Sequence, residues 1–195
     1  MHIASGVYQH YDHGIDQGIR ERWQYQRVND GYHMHISFEA DYTLHADVTL
    51  DKNNRIQQFD YRLDEHMHGR YRIADEQLHV YRTLPGNTLL EDQVPWAKDA
   101  VLDLPFLSCK GHTILHLAQY SVAPTFAPLL RSGDRAGDLA KQSVRDLGEE
   151  RLTINDVVYA TWRYQYRHDY WLDKRGQVVR VQNGQYEMIL LEYQR

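Results

Sequence analysis

The chain has 195 residues, of which 42% are hydrophobic and 25% are charged. This composition is typical of a globular protein and excludes an intrinsically disordered one. Lys and Arg number 22 against 27 Asp and Glu, which gives a formal net charge of −5 and leaves no basic surplus to neutralise nucleic-acid phosphates. Cys109 is the single cysteine, so an intramolecular disulfide is excluded.

The first residues give no sign of export. A secretory signal peptide has a basic start and an apolar core of seven or more residues. The segment MHIASGVYQHYDHG has neither a Lys or Arg near its start nor such a core. No other apolar run is long enough to cross a bilayer as a helix. We therefore expect a cytoplasmic protein without membrane insertion if Met1 is the native start, and a periplasmic one if it is not.

The N-terminal region begins without a clear pattern. Residues 1–18 contain three glycines and little periodicity, which predicts an arm or loop. Ile19, Trp23 and Tyr25 then share one parity among polar residues, which predicts a short strand. The tripeptide Asn29-Asp30-Gly31 predicts a hairpin turn.

Residues 32–50 carry the strongest pattern in the chain. Every even position is apolar or aromatic and every odd position is polar. This pattern is typical of a strand with one buried face and one solvent-exposed face. A hairpin with an even-length loop would switch the parity, and the parity does not switch. We therefore interpret the stretch as one continuous strand, about 60 Å long at ~3.3 Å per residue. A strand of that length must bend, so its apolar face should wrap around an interior.

Two further alternating segments follow. Apolar residues share one face over residues 59–63 and again over residues 67–73. Asp75-Glu76 predicts a two-residue turn, because the apolar parity switches afterwards to Leu78 and Val80, as an even loop requires. This agreement indicates an antiparallel meander.

The middle of the chain differs from the rest. Residues 84–100 contain two prolines, which predict a loop. Apolar residues at helical spacing predict helices over 108–119 and 134–147. We therefore predict a helical and loop insertion at about 105–150 that packs on the sheet or plugs it.

After residue 150 the alternation returns. Turns at Arg175-Gly176 and Asn183-Gly184 each switch the apolar parity. The chain is therefore predicted to form a single, mainly β domain over residues 1–195. Its architecture is a long, strongly curved antiparallel meander, in the form of a half-barrel or open barrel.

Two segments resemble a known group of proteins. The first is TWRYQYRHDYWLDKRGQVVRVQ, in which Asp169-Tyr170-Trp171-Leu172-Asp173 precedes Gly176, and the second is Asp103-Leu104-Pro105-Phe106. Together, over about a quarter of the chain, they resemble uncharacterised bacterial proteins classed as glycolipid-binding, whose fold is similar to the half-barrels of LolA/LolB-type lipoprotein carriers. The resemblance implies a hydrophobic cavity and lipid-like ligands, and it supplies no catalytic residues.

Aromatic side chains on the apolar face are the candidate ligand-binding residues. They are Phe38, Tyr42, Tyr61, Tyr71, Trp162, Tyr164, Tyr166 and Tyr170. Ligand pockets are mostly apolar with a few polar groups, and a ligand can supply the partners that buried tyrosine hydroxyls need. The alternative is an ordinary core filled by its own side chains. Our first hypothesis is non-enzymatic binding of a lipid-like or amphipathic small molecule in the concave face of the sheet, without a cofactor.

Histidine-rich motifs provide alternatives. The H-x-H-x-x-x-E pattern of His33, His35 and Glu39 resembles the first metal motif of cupins, and it favours a metal-dependent, cupin-like enzyme as the second hypothesis. A thiol and two imidazoles would also share one face of the predicted helix: Cys109, His112 and His116. For both sets the alternative is that the polar residues are structural or solvated. A third hypothesis is a protein-assembly module that meets a protein partner through a sheet edge or an aromatic surface.

Overall fold

The computed structural model describes residues 1–86, 88–131 and 135–194. Within these ranges the secondary structure is almost entirely β, with one helix. The elements are β1 (His2–Asp12), β2 (Ile15–Val28), β3 (Gly31–Glu39), β4 (Thr43–Asp51), β5 (Ile56–Leu63), β6 (Met67–Ala74), β7 (Gln77–Leu84), β8 (Thr88–Pro95), β9 (Val101–Leu102), α1 (Leu107–Ala118), β10 (Ala123–Pro128), β11 (Gly137–Gln142), β12 (Arg145–Ile154), β13 (Val157–Tyr166), β14 (His168–Asp173), β15 (Val178–Asn183) and β16 (Tyr186–Gln194).

Thirteen strands form one large antiparallel sheet. Its order is β12-β13-β14-β15-β16-β1-β2-β3-β4-β5-β6-β7-β8. Two meanders are thus joined where the last strand, β16, pairs with the first strand, β1. The edges β12 and β8 do not pair with each other, so the sheet stays open. The predicted mainly β, open antiparallel fold is therefore confirmed.

Residues 32–50 form a hairpin, so the interpretation as one continuous strand is wrong. Glu39 at the end of β3 pairs with Thr43 at the start of β4, and only residues 40–42 connect them. A three-residue loop pairs even positions with even positions, so the apolar parity persists through the turn. The prediction of a single buried face is confirmed, since Ile36 and Ala46 face each other in the core.

Residues 1–18 are strands rather than a loop. They form β1, a turn and the start of β2. A Cβ atom at Gly6 would lie 2.8 Å from Cζ2 of Trp23, so this glycine makes room for the indole ring. His13 and Gly14 both have positive φ, at 50° and 75°, and make the turn between the strands. The glycines that indicated a loop thus serve a tight turn and close packing.

The middle of the chain contains more strand than expected. Asn87 lies outside the described residues, and the rest of the predicted loop includes the edge strand β8. Asp134 also lies outside the described residues. Most of residues 135–147 form β11 and the start of β12, so the prediction of a helix over 134–147 is wrong. Leu139 and Leu147, two apolar residues at helical spacing in this segment, are 52% and 39% exposed. Pairing of β11 with β10 and of β12 with β13 overrode the helical spacing.

The predicted helix over 108–119 is confirmed as α1. Ile114 and Leu117 are fully buried. A small sheet, with β9 parallel and β11 antiparallel to β10, adds to the core. Phe59 of the large sheet contacts Phe106, just before α1, with 5.8 Å between ring centroids, and Tyr71 lies 6.2 Å from Phe126 of β10. The segment between the two meanders therefore packs on the apolar face of the large sheet.

Gly111 sets how closely α1 approaches the sheet. A Cβ atom there would lie 1.7 Å from the carbonyl oxygen of Gly176, in the turn between β14 and β15. We expect Gly111→Ala to lower the free energy of unfolding by about 1–3 kcal/mol through overpacking, although alanine favours a helix by ~1 kcal/mol. Urea unfolding provides the measurement. Ala118→Gly, at the exposed end of α1, is the propensity control, and a more stable Gly111→Ala variant would contradict the close approach.

Candidate functional site

The structure contains an apolar pocket of about 360 Å³ beside the β3–β4 hairpin. Phe38 and Tyr42 line it and stack on each other, with 5.6 Å between ring centroids. Further lining comes from both the large sheet and the segment around α1: Leu44, Leu63, Phe106, Pro128, Leu129 and Leu130. Two of the eight predicted ligand-binding residues therefore meet in one cavity.

One cation lies at the exposed part of this pocket. Arg131 belongs to the lining, and its guanidinium carbon is 5.2 Å from the centroid of the Tyr42 ring. The side chain is exposed, and its guanidinium lies over the face of the aromatic ring. The pocket thus combines an apolar interior with a positive rim.

Tyr61 and Tyr71 lie in the packed core below the pocket. The hydroxyl of Tyr71 donates a hydrogen bond of 2.8 Å to the carbonyl of Ala136, and that of Tyr61 donates one of 3.3 Å to the carbonyl of Leu130. Burial raises the pKa of both phenols. Their hydroxyls are satisfied by the chain itself and do not require a ligand.

The other four predicted residues lie on β13 and β14, in the second meander. The hydroxyl of Tyr166 donates a hydrogen bond of 2.8 Å to Asp103, which also binds Lys110 at 2.5 Å. Burial, with the nearby Asp103 carboxylate, raises the pKa of Tyr166. Tyr164 and Tyr170 are buried as well, and Trp162 is half-buried against the core. In this meander the aromatic residues occupy a protein core.

The polar face of the large sheet carries a wide groove. Its volume is about 1120 Å³ over β4–β8, and basic side chains contribute much of its lining: His45, Arg62, His68, Arg70, Arg72 and His79. A second depression of about 520 Å³ extends over β16 and β1–β4 and shares His45 and Asp47 with the first. The groove is polar and open, so it suits charged or hydroxylated ligands better than an alkyl chain.

Where the two depressions meet, His33 and His35 converge with Asp47. Oδ1 of Asp47 lies 3.6 Å from Nε2 of His33 and also contacts Nδ1 of His35. Partial burial and the neighbouring His35 lower the pKa of His33, which favours its neutral ring. Glu39, the expected carboxylate, does not belong to this group. It lies four residues beyond His35, about 13 Å along the strand, so the predicted set of His33, His35 and Glu39 is corrected to His33, His35 and Asp47.

Cys109, His112 and His116 do not converge on a common point among the described residues. The thiol of Cys109 is fully buried beside the sulfur of Met34 at 3.8 Å, and burial raises its pKa. Burial lowers the pKa of His112 to about 4. Nε2 of His116 faces the carbonyl of Asp99 at 3.3 Å. The thiol and imidazoles of α1 are therefore used in packing and local contacts.

Sequence reasoning missed two sets of residues. The first is the half of the pocket supplied by residues 105–106 and 128–131. Its signals were the Asp103–Phe106 segment and an apolar Pro-Leu-Leu run before an arginine. The second is Asp47, which the register places directly opposite His35. Reading residues 40–42 as an odd-length loop, with Asp41 as the turn former, would have placed Asp47 there.

The fold and the pocket define an open, barrel-like antiparallel β protein. A search of solved structures gives similarity to the crystal structure of a beta-barrel-like protein of the domain of unknown function DUF1849 from Brucella abortus, with a TM-score of 0.59 over 97% of this chain and 96% of that chain, at 11% sequence identity. At this identity the similarity shows the fold alone. No protein-family model matches the chain, and no curated protein matches it. Within the described residues no helix is long and apolar enough to cross a membrane.

Proposed function

We propose that the protein binds a lipid-like, amphipathic small molecule without transforming it. The apolar pocket at Phe38 and Tyr42 carries the proposal, because its walls are hydrocarbon and aromatic and its rim holds Arg131. Alkyl groups gain ~0.8 kcal/mol for each CH₂ removed from water, and an arginine at the rim pairs with an anionic head. The ligand class with both properties is an alkyl-chain carboxylate or phosphate.

The size of the pocket restricts the ligand further. Its volume of about 360 Å³ is near the lower end of the ~300–1,000 Å³ range of small-molecule sites. Such a cavity suits one alkyl chain rather than several chains together. We therefore propose a single-chain amphiphile whose tail lies against Phe38 and Leu63 and whose head remains at the surface beside Arg131.

Titration of the purified chain with dodecanoate by isothermal calorimetry tests this function. Leu129, a half-buried residue of the lining, is replaced by tryptophan to fill the cavity, and we expect binding to weaken at least about tenfold, or ~1.4 kcal/mol. Leu139→Trp places the same large ring on the exposed β11 and should leave affinity unchanged. Absence of dodecanoate binding to the unmodified chain, or equal loss in both variants, would contradict the pocket.

The role of Arg131 is tested by changing the head group. With Arg131→Gln we expect dodecanoate to bind about two- to fivefold more weakly, as for loss of an exposed charge pair, while dodecanol binding stays the same. Arg135→Gln, four residues along the chain and paired with Asp138 at 2.7 Å, is the matched control. Equal loss for dodecanoate and dodecanol would show that Arg131 contributes packing and no selection of the head.

A further inference from the structure

The β3–β4 hairpin holds three metal-binding side chains in a fixed arrangement. The ligand atoms of His33, His35 and Asp47 all lie within 4.8 Å of one another. His35 pairs directly with Asp47, and His33 pairs with Thr49, the next residue on the same face. The two strands pair without a register shift from Gly31 to Glu39, so the backbone fixes the spacing of the three groups.

Two imidazoles and one carboxylate are a ligand set used by zinc at open sites, where a fourth position is left to water or substrate. Imidazole also suits copper and nickel, whereas magnesium and calcium prefer oxygen ligands throughout. We propose that His33, His35 and Asp47 form a binding site for a divalent transition metal, with Zn²⁺ as the first candidate. The site is independent of the apolar pocket, because these residues lie on the opposite, polar face of the hairpin.

The surroundings of Asp47 favour a cation. Asp60 of β5 pairs directly with Asp47 across the strands, and like charges in that position destabilise a sheet. Arg70 neutralises Asp60 through a contact of 2.5 Å from Nε to Oδ1. A metal between Asp47 and the two histidines would offset the remaining negative charge.

The proposed metal site borders the polar groove. Asp47 lines both depressions, and His35 lines the smaller one. His45, two residues before Asp47 on the same face of β4, also lines both depressions. A bound metal would therefore be accessible to a ligand in the groove.

Calorimetric titration of the full chain with Zn²⁺, after treatment with chelator, tests the site. We expect one tight site, weakened at least about 100-fold by the double variant H33A/H35A, since losing even outer-shell support costs 10–100-fold. The matched control is H66A/H68A. It removes a second His-x-His pair, whose His68 is flanked by Arg62 and Thr83 instead of a carboxylate. This control should retain the tight site.

Asp47→Asn provides a second variant that preserves side-chain size. We expect it to weaken Zn²⁺ at least about tenfold and to abolish the rise in melting temperature that Zn²⁺ gives the unmodified chain. Circular dichroism spectra collected without metal are the control for the folding of each variant. The inference is overturned if the unmodified chain shows no tight site, or if H33A/H35A binds Zn²⁺ as tightly as H66A/H68A.

Discussion

Arg82→Met is expected to lower the free energy of unfolding by about 3–5 kcal/mol, as for the loss of several buried hydrogen bonds from a charged donor. Arg82 is 2% exposed, on the apolar face of β7. Its Nε donates to the hydroxyl of Tyr61 at 2.9 Å, Nη1 to the carbonyl of Arg135 at 3.0 Å, and Nη2 to the carbonyl of Leu130 at 2.9 Å. Methionine fills similar space but removes these three donors. Among the described residues, the carbonyl of Leu130 then keeps only its 3.3 Å contact with the hydroxyl of Tyr61, and a buried acceptor left unsatisfied costs ~1–3 kcal/mol.

Chemical denaturation with guanidinium chloride measures this effect. Arg72→Met removes the same side chain from the exposed face of the neighbouring strand β6 and should change stability by less than about 0.5 kcal/mol. Because Leu130 lines the apolar pocket, Arg82→Met should also weaken dodecanoate binding. Equal stability of the two variants would show that Arg82 does not anchor the segment around Leu130 to the sheet.

Glu21→Ala is expected to lower the free energy of unfolding by about 2–4 kcal/mol. The N-cap residue of α1 is Phe106, whose side chain makes no hydrogen bond to the N–H groups of the first turn. Glu21, on β2, caps the helix instead: Oε2 accepts from the N–H of Leu107 at 2.9 Å and Oε1 from that of Ser108 at 2.8 Å. Alanine removes both acceptors and leaves two buried donors at a helix N-terminus.

The control for this variant is Glu65→Ala, which removes an exposed glutamate from the turn between β5 and β6. It should alter stability by less than about 0.5 kcal/mol. Thermal and urea unfolding measure both variants. A loss no larger for Glu21→Ala than for Glu65→Ala would mean that the contacts to Leu107 and Ser108 contribute nothing to the attachment of α1.

Glu21 also contributes a pH dependence of known sign. Burial raises the pKa of this carboxyl in the folded protein, whereas the unfolded chain has the ordinary value of about 4.3. Between these two values the folded state holds a proton that the unfolded state has released, so this contribution to stability falls as the pH rises. Glu21→Gln should remove that slope. Unfolding curves collected from pH 4 upward for both proteins would show it.

Prediction from sequence succeeded where local patterns depend on backbone geometry. The turn at Asp75-Glu76 is confirmed, and both residues have positive φ, at 53° and 57°, because a two-residue hairpin requires it. The helix containing Ile114 and Leu117 is confirmed as well. The helix expected over 134–147 is wrong, because a short run of apolar residues fits helical spacing by chance and strand pairing decided its conformation.

The candidate site was only partly predictable. Phe38 and Tyr42 line the apolar pocket, whereas Tyr71 and Tyr166 have their hydroxyls bonded within the chain. Alternation of apolar and polar residues identifies which side chains point inward. It does not indicate whether protein or a ligand occupies the interior. Here α1 and the strands around it fill most of that space, and a cavity remains beside the hairpin.

By itself, the sequence determined which face is buried in the strands it identified, β3 to β7 among them, since a period of two separates apolar from polar side chains whatever the strand later pairs with. The tertiary structure alone decided that β16 pairs with β1 and that β3 and β4 form a hairpin. A hairpin with an odd-length loop keeps the apolar parity, so parity alone does not reveal the turn. The register of the two strands then sets which distant residues meet. Asp47 opposite His35, and Arg131 beside Tyr42, follow from pairing and packing over many residues.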